Sequence, residues 1–169
     1  MKLTSCHEIF VFDDYPRQDL LLKSLGGFFE NYQDRQGRKT NVKATMTEWN
    51  LDLDDIEFIK WGNSILAKIV ELNLYHGNSF RFDSVWANIY RKGDYAIPHN
   101  HDPYRYSFVY FLKSKPNFSP LMFKDLGLRR NKVVRPIEGR LVIFPGFAPH
   151  WVPRHKHDET RITLSGNIL

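Results

Sequence analysis

The chain has 169 residues, 42% of them hydrophobic, 15% aromatic and 25% charged, which is enough apolar material to bury a core and rules out a disordered chain. That length sets the expectation of one domain over residues 1–169. The net charge is +5, no apolar run approaches the roughly 20 residues of a membrane span, and the first residues lack the basic-then-apolar order of a secretory leader, so a cytoplasmic protein is expected.

In chain order, Glu8–Phe12 reads as a short strand, and Asp13 to Pro16 supplies a cap followed by proline, the usual opening of a helix over Arg17–Gln33. Gly37 breaks the chain. Asp52, Asp54 and Asp55 put negative charge where helix amides are unpaired, and Ile56, Ile59, Leu66, Ile69 and Val70 follow at near-helical spacing until Gly77. From Phe80 the pattern changes to short β runs: Ser84–Tyr90, Tyr104–Lys113, Pro120–Phe123, Lys132–Pro136, Arg140–Phe144, His150–Pro153 and Thr160–Asn167. Turn signals separate several of them, namely Lys92-Gly93-Asp94, Glu138-Gly139 and Pro145-Gly146. The predicted architecture is mainly β with flanking helices: a helical part at 1–79, then a β-barrel core at 80–169 closed from two sheets as a jelly roll, with the helices packed on one sheet.

The single cysteine, Cys6, has no partner thiol and is read as a packing residue. Lys113 to Arg140 holds eight basic residues against Asp125 and Glu138. No RNP-type aromatic pattern or helix-turn-helix signature accompanies this charge, so a solvated face is the simpler reading than a nucleic-acid surface.

Seven histidines occur. His99 and His101 bracket Asn100, and in an extended segment residues two apart project from one face, so the pair can chelate one ion. His150 lies 49 residues beyond His101, and only closure of the sheet brings it to the pair. Imidazole binds Fe, Zn, Cu and Ni alike, so the histidines do not choose the metal. His155 and His157 share the spacing but sit in Arg154-His155-Lys156-His157-Asp158-Glu159, which reads as a solvated loop. His7 and His76 are isolated.

In Arg161-Ile162-Thr163-Leu164-Ser165 polar and apolar residues alternate. A solvent-facing edge strand accounts for that pattern equally well. If the polar face points into the barrel, Arg161 is a desolvated cation demanding a carboxylate, which its planar fork holds bidentately while the Thr163 hydroxyl adds a hydrogen bond. The ligand expected on that reading is a small organic acid beside a metal.

Trp86-Ala-Asn88-Ile-Tyr90, Gly93-Asp-Tyr95, His99-Asn-His101, Ser107-Phe-Val-Tyr110-Phe-Leu112, Gly139-Arg-Leu-Val-Ile-Phe144-Pro145, His150 and Arg161-Ile-Thr163-Leu-Ser165-Gly-Asn167 together resemble the 2-oxoglutarate and Fe(II)-dependent oxygenase superfamily, in its small bacterial and phage branch. The run Asn88–His101 is similar to the first ligand segment of prolyl hydroxylases. The resemblance implies a double-stranded β-helix and a dioxygenase that hydroxylates an unknown substrate with Fe(II), 2-oxoglutarate and O₂. It makes His99, His101 and His150 the metal ligands and Arg161 with Thr163 the clamp on the far carboxylate of 2-oxoglutarate. Tyr90 matches a pocket tyrosine. Strand parity leaves Tyr110 and Phe111 as alternatives for a second inward position, of which Tyr110 is preferred. The superfamily usually carries Asp or Glu where His101 stands, and Asp102 is the alternative to His101 as second ligand.

Two other readings belong to different classes. A cupin-like enzyme would hold Zn²⁺ or another divalent ion on three histidines and activate water without 2-oxoglutarate. A non-catalytic jelly roll, structural or binding, would leave the histidines incidental.

Overall fold

The computed structural model describes residues 2–4, 8–15, 18–33, 40–51, 54–72, 74, 81–125 and 130–169. Cys6, His7, Pro16, Arg17, Gly37, Asp52, His76 and Gly77, singled out above, lie outside them. All seven strands expected between residues 84 and 167 are present, with ends shifted by a few residues.

The elements run β1 (Lys2–Thr4), β2 (Glu8–Phe12), α1 (Gln18–Asn31), β3 (Val42–Lys43), β4 (Thr45–Met46), α2 (Ile56–Glu71), β5 (Phe82–Tyr90), β6 (Tyr95–His99), β7 (Tyr106–Lys113), β8 (Leu121–Phe123), β9 (Lys132–Val134), β10 (Leu141–Pro145), β11 (His150–Val152) and β12 (Arg161–Ile168). They form a seven-stranded sheet in the order β1-β2-β10-β7-β12-β5-β4 and a five-stranded sheet in the order β3-β6-β11-β8-β9. Every strand pairing is antiparallel. This is the double-stranded β-helix. The expected helical part at 1–79 needs correction: β1, β2 and β4 complete the large sheet and β3 the small one, so the first half of the chain helps to build both sheets.

Helix α2 begins where the sequence provides a cap. Asp55 is extended, and its carboxylate accepts hydrogen bonds from the backbone N–H groups of Glu57 and Phe58, both at 2.9 Å. The helix buries Trp61, Ile65 and Ile69 and, with Leu21, Leu25 and Phe29 of α1, covers the outer face of the large sheet through Ala87, Ile89, Phe108, Tyr110, Leu112, Ile162 and Leu164. Trp61 is fully buried, stacked on Phe58 and set edge-on to Phe108. Truncating so large a side chain costs about 3–5 kcal/mol, so Trp61→Ala should lower the denaturation midpoint of the whole fold, measured by chemical unfolding.

The inner face of the same strands carries a second core. Tyr90, Phe111, Val142 and Phe144 meet Ala96, Leu121, Phe123, Val134 and Val152 of the small sheet. One residue of parity on β7 thus separates Tyr110, which packs on Trp61 and Tyr15 beneath the helices, from Phe111, which faces the barrel interior. Tyr110 was the preferred inward residue on sequence, and the structure corrects this: both faces of β7 are apolar and buried, so no alternation marks its inner side.

Candidate metal centre and cosubstrate pocket

Strands β6 and β11 pair so that His99 lies directly opposite His150. His101, two residues beyond the end of β6, is fixed by its backbone N–H to the carbonyl of Gly146 at 2.7 Å. The three imidazoles converge: one ligand atom from each lies within 4.8 Å of the others, with ring centroids 4.4 Å apart for His99 and His150, 5.0 Å for His101 and His150, and 5.2 Å for His99 and His101. Asp102 is exposed in the following turn and is not part of this cluster; it is the next residue along, and the chain has turned away from the shared face.

Two of the imidazoles are oriented from behind. The Nδ1–H of His99 donates to the Ile97 carbonyl at 2.7 Å, and that of His150 to the Ala148 carbonyl at 3.0 Å. A carbonyl can only accept, so each ring is held in the tautomer that frees Nε2 for a metal. The His101 ring is held differently, sandwiched by contact with the Trp86 indole, 5.7 Å away at an interplanar angle of 30°, and the His150 ring at 10°.

Burial lowers all three imidazole pKa values from the ordinary 6.5, His101 to about 4 with the neighbouring His99 as second cause, and His150 furthest, pressed also by His99 and His101. The folded protein therefore keeps these rings neutral, as metal ligands must be. Below about pH 6.5 the unfolded chain binds protons that the folded one refuses, so the stability these neutral rings allow is fully present above that pH. It should be lost progressively as the pH falls towards about 4. Denaturant midpoints of metal-free protein measured across that window test this, and His101→Asn should make the dependence shallower.

Deeper in the same cavity, β12 pairs with β5 so that Arg161 lies opposite Tyr90, Thr163 opposite Asn88 and Ser165 opposite Trp86. All six line the cavity together with the three histidines, Val42, Leu121 and Val152. Arg161 is 1% exposed. Its guanidinium lies over the rings of Tyr90 and Phe111, at 4.6 and 5.1 Å, yet its Nε and Nη1 have no hydrogen-bond partner. Burial lowers its pKa, opposed only by Tyr90. A buried guanidinium with two donors unmet and no carboxylate beside it is the signature of an absent anionic ligand. Asn88 donates to the Ser165 hydroxyl at 3.0 Å, while its Oδ1 and the Trp86 Nε1–H are likewise buried without a partner.

Trp86 and Asn88 join the site without having been singled out for it on sequence, and Phe111, the alternative to Tyr110, is the residue that faces inward. The signal for the first two is on β5, where Trp86, Asn88 and Tyr90 alternate with Val85, Ala87 and Ile89, as Arg161, Thr163 and Ser165 alternate on β12. His155 also differs from expectation. It is 1% exposed, its backbone bonds to Gly93 and Asp94, and its ring lies 2.9 Å from the Glu159 carbonyl and 3.3 Å from the Ser119 hydroxyl. The segment is a loop, as expected, but Arg154, Lys156 and Asp158 are exposed while His155 between them is buried. His157 lies beside it, within 3.0 Å of the Asn117 carbonyl. The basic segment is dispersed over the surface: Lys113 pairs with Glu30, Lys115 with Glu159 at 2.5 Å and Arg140 with Asp13 at 2.5 Å.

A jelly roll with three imidazoles converging at one site and a buried, anion-seeking arginine in the same cavity defines a metalloenzyme that takes an organic acid. Residues 84–167 match the model of the family described as "Putative 2OG-Fe(II) oxygenase", and the chain belongs to this 2-oxoglutarate and Fe(II)-dependent oxygenase family. Among curated protein sequences none matches the chain. Similar solved structures include a prolyl-4-hydroxylase from Pseudomonas putida, with a TM-score of 0.68, 17% identity and coverage of 95% of this chain and 91% of that one. A viral collagen prolyl hydroxylase from Paramecium Bursaria Chlorella virus-1, solved as a 2-oxoglutarate complex, has a TM-score of 0.67 at 14% identity, covering 95% and 94%. HygX from Streptomyces hygroscopicus, with nickel and 2-oxoglutarate bound, has a TM-score of 0.72 at 9% identity, covering 95% and 82%. The protein is thus an Fe(II) and 2-oxoglutarate-dependent dioxygenase, with O₂ as cosubstrate, which decides against both the water-activating cupin and the non-catalytic jelly roll. The site fits this set: neutral nitrogen donors suit Fe(II), and the unmet guanidinium donors suit a dicarboxylate.

Proposed function

We propose that His99, His101 and His150 hold the Fe(II), that Arg161, Thr163 and Tyr90 grip the far carboxylate of 2-oxoglutarate, and that the protein is a cytoplasmic hydroxylase acting on an uncharged side chain of a peptide. The observation that carries the assignment is the pairing, in one cavity, of the imidazole cluster with an Arg161 whose buried Nε and Nη1 lack partners. Fe(II) held by His99, His101 and His150 would supply the O₂ chemistry that couples decarboxylation of 2-oxoglutarate, to succinate and CO₂, with oxygenation of a substrate C–H bond.

The chain's own residues orient and shelter. Arg161 fixes one end of the cosubstrate, so that its keto acid end points to the histidines; Thr163 donates a hydroxyl hydrogen bond beside it. Phe111, Leu121, Phe144 and Val152 keep water from the buried acid.

The peptide reading rests on a second cavity of about 270 Å³, which shares His99, His101, Val42 and Trp86 with the first. Its remaining wall is Thr40, Asn41, Met46, Trp49 and Asn100. Among the described residues that line it, none is an aspartate, glutamate, lysine or arginine. Trp49, 42% exposed, meets Trp86 edge-on at 4.8 Å, giving an aromatic surface for an apolar ring or aliphatic group, and the asparagine amides and Thr40 offer partners for peptide amides. The prolyl hydroxylase neighbours are in keeping with such a substrate.

Metal analysis with succinate release measured in parallel tests the proposal. Iron-loaded protein should release succinate from 2-oxoglutarate, and short peptides bearing prolyl or aliphatic side chains should raise the rate above its basal value where acidic peptides and single-stranded DNA do not. Trp49→Ala should remove that stimulation and spare the basal rate. Metal-loaded protein that releases no succinate would refute the assignment, and stimulation by DNA alone would refute the peptide.

A further inference from the structure

We infer that His101 makes metal loading conditional on the dianion: because the cavity offers no carboxylate, metal and 2-oxoglutarate bind as a strongly coupled pair. The inference rests on the ligand assignment above and concerns what the chain's own charges impose on it.

The residues lining the cavity include three imidazoles and one guanidinium, and no aspartate or glutamate. An imidazole that ligates a metal through its free nitrogen is neutral and brings no charge to the site. Among the described residues no carboxylate acts on Arg161, whose guanidinium lies over the rings of Tyr90 and Phe111. The carboxylate felt by Tyr90 is Asp94, which accepts from the backbone N–H of Arg91 at 2.8 Å and does not line the cavity. A divalent ion entering alone therefore adds two positive charges to a largely buried cavity that already holds one, with no carboxylate among the described lining residues to offset them, and like charges in such surroundings repel. A dianion offsets two of the three. In a site with a carboxylate at position 101 the metal arrives partly neutralised, and the need for the dianion is smaller.

A second feature points the same way. The rings of His99 and His150 are each anchored by a backbone carbonyl, whereas among the described residues the His101 ring makes no hydrogen bond and is positioned by stacking on Trp86 and His150. His101 thus lacks the polarising partner that raises the basicity of a ligating imidazole, and it brings to its coordination position neither charge nor enhanced donation.

The test is Ni(II) affinity, measured by competition with a chromophoric chelator with and without 2-oxoglutarate, for the parent, His101→Asp and His101→Asn, with the affinity of 2-oxoglutarate for Ni(II) in buffer determined separately. Each protein yields a ratio of two affinities, so loss of a ligand does not by itself alter the result. The parent and His101→Asn should show coupling of about 100-fold, and His101→Asp about 10-fold or less; by linkage, 2-oxoglutarate should bind the metal-free parent more weakly by the same factor. Equal coupling in the parent and His101→Asp overturns the inference while leaving the ligand assignment standing. Ni(II)-loaded protein that does not bind 2-oxoglutarate at any concentration overturns both, and is recognised by the absence of saturation in all three proteins.

Discussion

Arg161→Met is expected to lose 2-oxoglutarate binding by about 100-fold or more while the metal-free protein stays at least as stable as the parent. The first half follows from the guanidinium donors: two charge-assisted hydrogen bonds to a carboxylate together contribute about 3 kcal/mol, or two decades of affinity. The second half is less usual for a side chain that is 1% exposed. Arg161 is buried without a counter-ion and with Nε and Nη1 unpartnered, so in the free protein it is an unfavourable group, relieved only in part by the rings of Tyr90 and Phe111. Methionine fills comparable length without charge. Isothermal titration with 2-oxoglutarate and a denaturation curve on the same sample check both halves, and unchanged cosubstrate affinity would remove Arg161 from its role.

His99→Ala is expected to weaken metal binding by about 100-fold or more, the loss of one of three nitrogen donors from a site whose remaining positions are for cosubstrate and O₂. Of the three histidines it is a cleaner substitution than His150, which is 4% exposed and packed against Phe123 and Phe144, so that its removal also opens the core. Asp102→Ala, by contrast, should leave metal affinity within about threefold, since a charge at an exposed turn acts on the site only through high-dielectric surroundings. Chelator competition on the three proteins distinguishes them.

These expectations were partly legible in the sequence because β12 and β5 alternate polar and apolar residues, and a period of two fixes which side chains share a face. Arg161 and Thr163 could be placed on one face on that basis once a barrel was assumed, whereas Tyr90 followed from the resemblance to the oxygenase superfamily. The barrel itself came from turn signals and strand spacing. What escaped did so for physical reasons. On β7 the residues Val109, Tyr110, Phe111 and Leu112 are all buried, so hydrophobicity carries no parity and Tyr110 was assigned to the wrong face. Strand β6 contains Pro98 and follows Lys92-Gly93-Asp94, which conceals its pairing with β11, although that pairing is what sets His99 against His150. The strands β3 and β4 have two residues each, too short for any periodic signal, yet they bring Val42 to the cavity and Met46 to the adjoining groove. Trp49 lies between elements, where a tryptophan announces nothing about what it faces.

Addition of 2-oxoglutarate to the Fe(II)-loaded protein under anaerobic conditions tests the whole arrangement in one absorption spectrum. A keto acid chelated to iron held by His99, His101 and His150 predicts a weak visible metal-to-ligand band that saturates at one equivalent and is lost in Arg161→Met at the same concentration. Protein shown to hold stoichiometric iron, yet giving no band at any concentration of 2-oxoglutarate, would contradict it.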